Sequence, residues 1–136
     1  MPTMTLSLDG AVPGVLRIEH VGSRVTCNPA PKWTDDDYLV LVKDVKAAGW
    51  FLEAEGWKLG GSDPGNEGVV PADQRFSSFT LHKGSVTNDC INLILTASSD
   101  FFDRFMLATH VAKTLNIQPK IHRIVLFQAI LYGRYP

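Results

Sequence analysis

Residues 15–42 read VLRIEHVGSRVTCNPAPKWTDDDYLVLV, and the fold turns on this stretch. Residues 15–21 alternate, with Val15, Arg17, Glu19 and Val21 on one side and Leu16, Ile18 and His20 on the other, which predicts a short strand. Gly22 and Ser23 break it. Residues 28–37, with Pro29, Pro31 and an aspartate run, read as a loop, and residues 38–42 form the continuous apolar run of a buried strand. A glycine followed by a serine at a strand end leads into a turn whose backbone N–H groups and hydroxyl can face a phosphate, the glycine allowing close approach. Asp35 and Asp37 lie two apart where the next strand starts, so they point to one face and Asp36 to the other. Two carboxylates thus stand beside a phosphate cradle. Together with triphosphate oxygens they make the oxygen set that holds Mg²⁺ (or Mn²⁺), an ion that takes few protein ligands and keeps substrate and water oxygens.

Working outward, Asp44 is placed to cap a helix running to residue 55, with Val45, Ala48 and Leu52 on one face and Gly56 as its stop. Residues 57–59 can form a short strand. Residues 60–74 carry Gly61, Pro64, Gly65, Gly68 and Pro71 and read as a long irregular segment, compatible with a lid or recognition loop and equally with a plain hairpin insertion. Residues 76–82 alternate like a half-buried strand, and residues 90–96 are continuously apolar like a central one. Ser99 or Asp100 starts a helix to residue 115, with Phe101, Phe105, Ala108, Ala112 and Leu115 at helical spacing. Pro119 suits the first turn of a last helix ending near residue 133, with Ile121, Ile124, Val125, Gln128 and Leu131 in register. Both stripes are expected in the core. The sum is an α/β (α+β) domain over residues 1–136, a small mixed β-sheet of about four to five strands with helices packed on it.

A chain of 136 residues is long enough for one domain with a sizeable core. With 45% hydrophobic and 20% charged residues it is neither disordered nor collagenous. Thirteen Lys and Arg against fourteen Asp and Glu leave a net charge of -1, so no global positive field draws it to nucleic acid or anionic lipid. No apolar run approaches the roughly 20 residues that span a bilayer, which predicts no membrane segment. Residues 1–10 lack a basic start followed by an apolar stretch, so a cytoplasmic protein is expected, with Cys27 and Cys90 as free thiols. Two cysteines without a CxxC pair, and His20, His82, His110 and His122 without ligand spacing, make no structural zinc site.

Gly22-Ser23, a loop of about ten residues, and then Asp35-x-Asp37 running into an apolar strand resemble the nucleotidyltransferase superfamily that includes polymerase-β and the small minimal nucleotidyltransferases. The wording GSRVTCNPAP followed by TDDDYLVLV is also similar to small nucleotidyltransferase-like proteins often met in bacteriophage genomes. The resemblance implies a nucleotidyltransferase fold that binds a nucleoside triphosphate and Mg²⁺ and transfers a nucleoside monophosphate to a hydroxyl on a protein or nucleotide acceptor. It implies that Gly22, Ser23 and Arg24 hold the phosphates and that Asp35 and Asp37 hold metal. The family has a third carboxylate on a later strand; its place in Ile91-Asn92-Leu93-Ile94-Leu95 is taken by Asn92. An amide oxygen is a neutral, weaker ligand and cannot take up a proton. A second reading follows from that departure: a degenerate member that binds or inhibits a host or partner protein without turnover, in the host cytoplasm if phage-encoded. Arg24, Lys43, His82 and Lys83 are the cations available to neutralise a triphosphate.

Overall fold

The structure is a computed structural model that describes residue 12 and residues 14–31, 36–61, 77–82 and 90–132; for residues 58–61, 77–82, 90 and 132 it describes the main chain. Asp35, Lys83, Asp89 and all but the first two positions of the irregular stretch expected over 60–74 lie outside these residues. The element order is β1 (Val15–Val21), α1 (Ser23–Thr26), β2 (Asp36–Val42), α2 (Val45–Ala54), β3 (Lys58–Gly61), β4 (Ser77–His82), β5 (Cys90–Thr96), α3 (Ser99–Thr114) and α4 (Lys120–Tyr132). The strands form one five-stranded sheet in the order β1-β2-β5-β4-β3. Only the β2–β5 pair is parallel; the other three are antiparallel. The mixed sheet and its packed helices are those the sequence predicts.

Period-two patterning divides β2 and β5 between two cores. Tyr38, Val40 and Val42 join Ile91, Leu93 and Leu95 under Ala48 and Leu52 of α2. On the opposite face, Leu39 and Ile94 join Val21, Phe101, Phe102, Phe105 and Leu131 beneath α3 and α4. Both central strands are therefore apolar on both sides, which is why they read as unbroken hydrophobic runs. Local signals set the helix ends: Asp44 accepts from the N–H groups of Lys46 and Ala47 at 2.9 and 3.2 Å, and Ser98 Oγ accepts from Phe101 N at 3.1 Å.

Two details depart from the sequence reading. A register shift between Val15 and Arg17 bulges the start of β1 and turns Leu16 outward, as suits an edge strand. The expected core stripe of α4 is rotated: Phe127 and Leu131 face the core, while Ile121, Ile124 and Val125 lie on the surface. Leu115, at the end of α3, is exposed as well. A helix whose apolar residues occur on more than one face has no single orientation dictated by periodicity, and packing against α3 selects the face carrying the aromatic ring. Phe127 meets Phe105 edge-on, ring centroids 5.1 Å apart.

Candidate functional site

The site grows from the end of β1. Gly22 follows Val21 with φ +84° and ψ −175°, a backbone conformation open essentially to glycine alone. Its placement also leaves no room for a side chain. A Cβ at residue 22 would lie 2.1 Å from Asp37 Oδ2 and 2.9 Å from Asp37 Cβ. The Asp37 carboxylate is thus laid directly against the Gly22 backbone, and the Val21–Asp37 pairing of the antiparallel ladder holds the two in register.

Asn92 completes the group. In the parallel pairing of β2 with β5, Asp37 stands opposite Asn92, as Leu39 stands opposite Ile94 two residues on. Leu39 and Ile94 sit in the core under α3 and α4, so strand parity puts Asp37 and Asn92 on that same face, one step beyond the core. Both are partly exposed. Ile91 and Leu93 occupy the opposite face under α2. A carboxylate, an amide and the Gly22-Ser23 turn therefore converge at one end of the sheet.

The far side of that turn is tied down. Asn28 N donates to Asn116 Oδ1 at 2.9 Å and Asn116 Nδ2 donates to Asn28 O at 3.0 Å, joining the loop after α1 to the turn after α3. Cys27 Sγ donates to Ile117 O at 3.5 Å and accepts from Arg123 Nη1 at 3.2 Å. These bonds span about 90 residues of chain and fix where the segment after Ser23 goes.

Asp36 does what parity requires and more. Its side chain leaves the cleft face and is buried on the other side of the sheet, hydrogen-bonded to His20 Nε2 and accepting from Tyr38 Oη at 3.2 Å. The His20 and Tyr38 rings stack, centroids 4.9 Å apart. Strand parity predicts the side of the sheet that Asp36 takes but not its partner; the ladder pairing of His20 with Tyr38 is what unites His20 and Asp36, and no local pattern announces it. Replacing Asp36 by Ala strips the acceptor from both partners, at a cost of about 1–3 kcal/mol, without removing a group from the cleft.

Burial raises the Tyr38 phenol above its ordinary value, the Asp36 charge and the hydrogen bond to it push the same way, and the Arg24 charge opposes them. Because the folded value lies above the unfolded one, Tyr38 adds stability that is fully present below about pH 10 and is lost as pH rises through the folded value. Tyr38 should ionise late in an alkaline titration followed by tyrosinate absorbance. Tyr38→Phe should remove that late step; its persistence in the variant would contradict the assignment.

Of the cations expected near the site, Arg24 lies in α1 beside the turn, whereas Lys43 follows the last residue of β2, a strand length of roughly 20 Å from Asp37. Lys43 is therefore no partner of the cleft. The main chain of His82 pairs with Cys90 at the start of β5, the end of the sheet where Asn92 stands. Among the described residues no group of three or more His, Cys, Asp or Glu comes together as a metal site. No described helix is long and apolar enough to cross a membrane.

The crystal structure of the conserved protein GrpB from Enterococcus faecalis is similar to this chain, with 19% identity and a TM-score of 0.47. The match covers 74% of this chain and 57% of that one, so the chain spans little more than half the length of GrpB. No family model matches the chain, and no curated protein sequence does.

Proposed function

We propose that the chain is a nucleotidyltransferase-like protein that binds a nucleoside triphosphate with Mg²⁺ between the Gly22-Ser23 turn and the Asp37–Asn92 pair. One observation carries the reading: the Asp37 carboxylate is laid on a glycine that tolerates no Cβ, so a bare backbone turn and an acidic oxygen donor share one small space. That is the juxtaposition a metal-bound polyphosphate needs, because the backbone can approach the phosphate while the carboxylate faces the cation. The donor set also fits the ion. Asp37 and Asn92 offer oxygens from neighbouring strands, and Asp35, two residues before Asp37 in the sequence, is the second carboxylate proposed for the ion. Mg²⁺ is satisfied by one or two carboxylates plus substrate and water oxygens, and when bound it would offset the phosphate charge.

The roles follow from chemistry. Gly22 and Ser23 receive the phosphates through the backbone and the hydroxyl, with Arg24 adjacent. Asp35 and Asp37 hold the metal. Transfer would form a bond from an acceptor hydroxyl oxygen to the α-phosphorus and break the bond to the bridging oxygen, releasing pyrophosphate. Asn92 can hydrogen-bond the acceptor but cannot take its proton, which passes instead to solvent. A missing general base costs about 10²- to 10⁴-fold in rate, so turnover is slow. The same residue favours a second reading, in which the cleft binds nucleotide without turnover and the protein acts by binding or inhibiting another protein. The working place is the cytoplasm, the host's if the chain is phage-encoded. Incubation with α-labelled triphosphates and Mg²⁺ or Mn²⁺, with and without cell lysate, separates the two. Label carried onto an acceptor supports transfer, and bound but unreacted triphosphate supports the second reading.

A further inference from the structure

The outer face of α4 is exposed among the described residues. Ile121, Ile124 and Val125 are 63%, 41% and 60% exposed. With the partly buried Gln128 they stand at spacings of three, four and seven residues, which is a single stripe along a helix. Leu115, 66% exposed at the end of α3, adds to the apolar surface of this helix pair.

Charge along the last part of the chain is one-sided. All fourteen Asp and Glu fall within residues 1–103, whereas residues 104–136 carry five Lys and Arg and no acid. Lys113, Lys120, His110 and His122 are all exposed on α3 and α4. Arg123 is spent inward, its Nη1 donating to Cys27 Sγ at 3.2 Å, to Ile117 O at 3.4 Å and to Gln118 O. The C-terminal part of α3 and the whole of α4 thus carry exposed basic side chains and no acid, Asp100 and Asp103 lying near the start of α3.

We infer that this face of α4 docks an acidic amphipathic helix of a partner protein. Apolar anchors at this spacing are how one helix presents itself to another, and a basic rim selects acidic flanks on the partner. Ile and Val are stiff at χ1, so ordering them in a helix–helix seam costs little entropy. A second copy of the same face is disfavoured because a two-fold interface would set basic surface against basic surface. A membrane is disfavoured because the stripe holds no Trp, Tyr or Phe, and two exposed lysines fall short of the clusters of about 4–8 that mark anionic lipid binding.

The test uses the full chain and a labelled helical peptide with Leu at the same spacing and Glu elsewhere, followed by fluorescence anisotropy. The Glu peptide should bind saturably, more weakly as salt rises, while a twin with Lys for Glu should not bind. Ile121→Ser with Val125→Ser should weaken binding about tenfold or more, and so should the charge reversal Lys113→Glu with Lys120→Glu, which leaves the apolar stripe in place. Trp50→Ser, at an exposed position on α2 across the sheet, should leave binding unchanged. Failure of the Glu peptide to bind, equal binding of the Lys twin, or equal binding by the charge-reversed variant would overturn the inference. So would binding to phosphatidylserine–phosphatidylcholine vesicles in place of the peptide, or self-association that Ile121→Ser with Val125→Ser abolishes.

Discussion

Gly22→Ala should lose most Mg²⁺-dependent triphosphate binding and unfold at a markedly lower temperature. Two independent penalties converge on this one methyl group. The first is the backbone: with φ at +84° and ψ at −175°, any residue but glycine is strained by about 1–3 kcal/mol. The second is space, since the new Cβ would sit 2.1 Å from Asp37 Oδ2 and 2.9 Å from Asp37 Cβ. Moving the carboxylate tip alone does not relieve the second contact, because Cβ is carried by the main chain of β2. Either the turn or the start of β2 must move, and Asp37 leaves its position. Binding should fall by about tenfold or more, which corresponds to roughly 1.4 kcal/mol per decade. Melting should fall by about 5 °C or more. Calorimetric titration and thermal unfolding read both effects, and a Gly22→Ala protein that matches wild type in each would show that the close approach is irrelevant.

Asn92→Asp acts in the opposite direction. The residue stands beside Asp37 across the parallel pair, on the same face of the sheet, so the substitution adds a carboxylate next to the existing one with almost no change in shape. A second negative charge so close to Asp37 is unfavourable without a cation and favourable with one. Stability measured in chelator should fall, and addition of Mg²⁺ or Mn²⁺ should restore it. The new group can also accept a proton from an attacking hydroxyl, which Asn92 cannot, so label transfer should rise by about 10² or more. Unchanged metal affinity and undetectable transfer would mean that the cleft no longer supports the chemistry, leaving the binding reading.

The strands were legible in the sequence because most of them carry period-two or continuous apolar patterns between strong breakers, and the residues of β1 and β5 coincide with the stretches read from those patterns. Parity alone was enough to separate Asp36 from Asp37. What stayed hidden was non-local. The sequence presents His20 and Asp36 sixteen residues apart, and only the antiparallel pairing of β1 with β2 brings them together under the turn. Likewise, the reason residue 22 is glycine is visible only when the Asp37 side chain is placed against it. The face of α4 was read correctly at Leu131 but not at Ile121, Ile124 and Val125, because its apolar residues exceed what one side of a helix can bury and periodicity could not tell Phe127 from them.

The most direct measurement is calorimetric titration of a nucleoside triphosphate, with Mg²⁺ and then with chelator, into the wild-type protein and its Asp37→Ala, Asp35→Ala and Asp36→Ala variants. Binding should require Mg²⁺, vanish in the first two variants, and persist in Asp36→Ala at a temperature where that less stable protein is folded. Equal loss in all three variants, or binding indifferent to Mg²⁺, would contradict the assignment of Asp37 and its glycine turn as the nucleotide site.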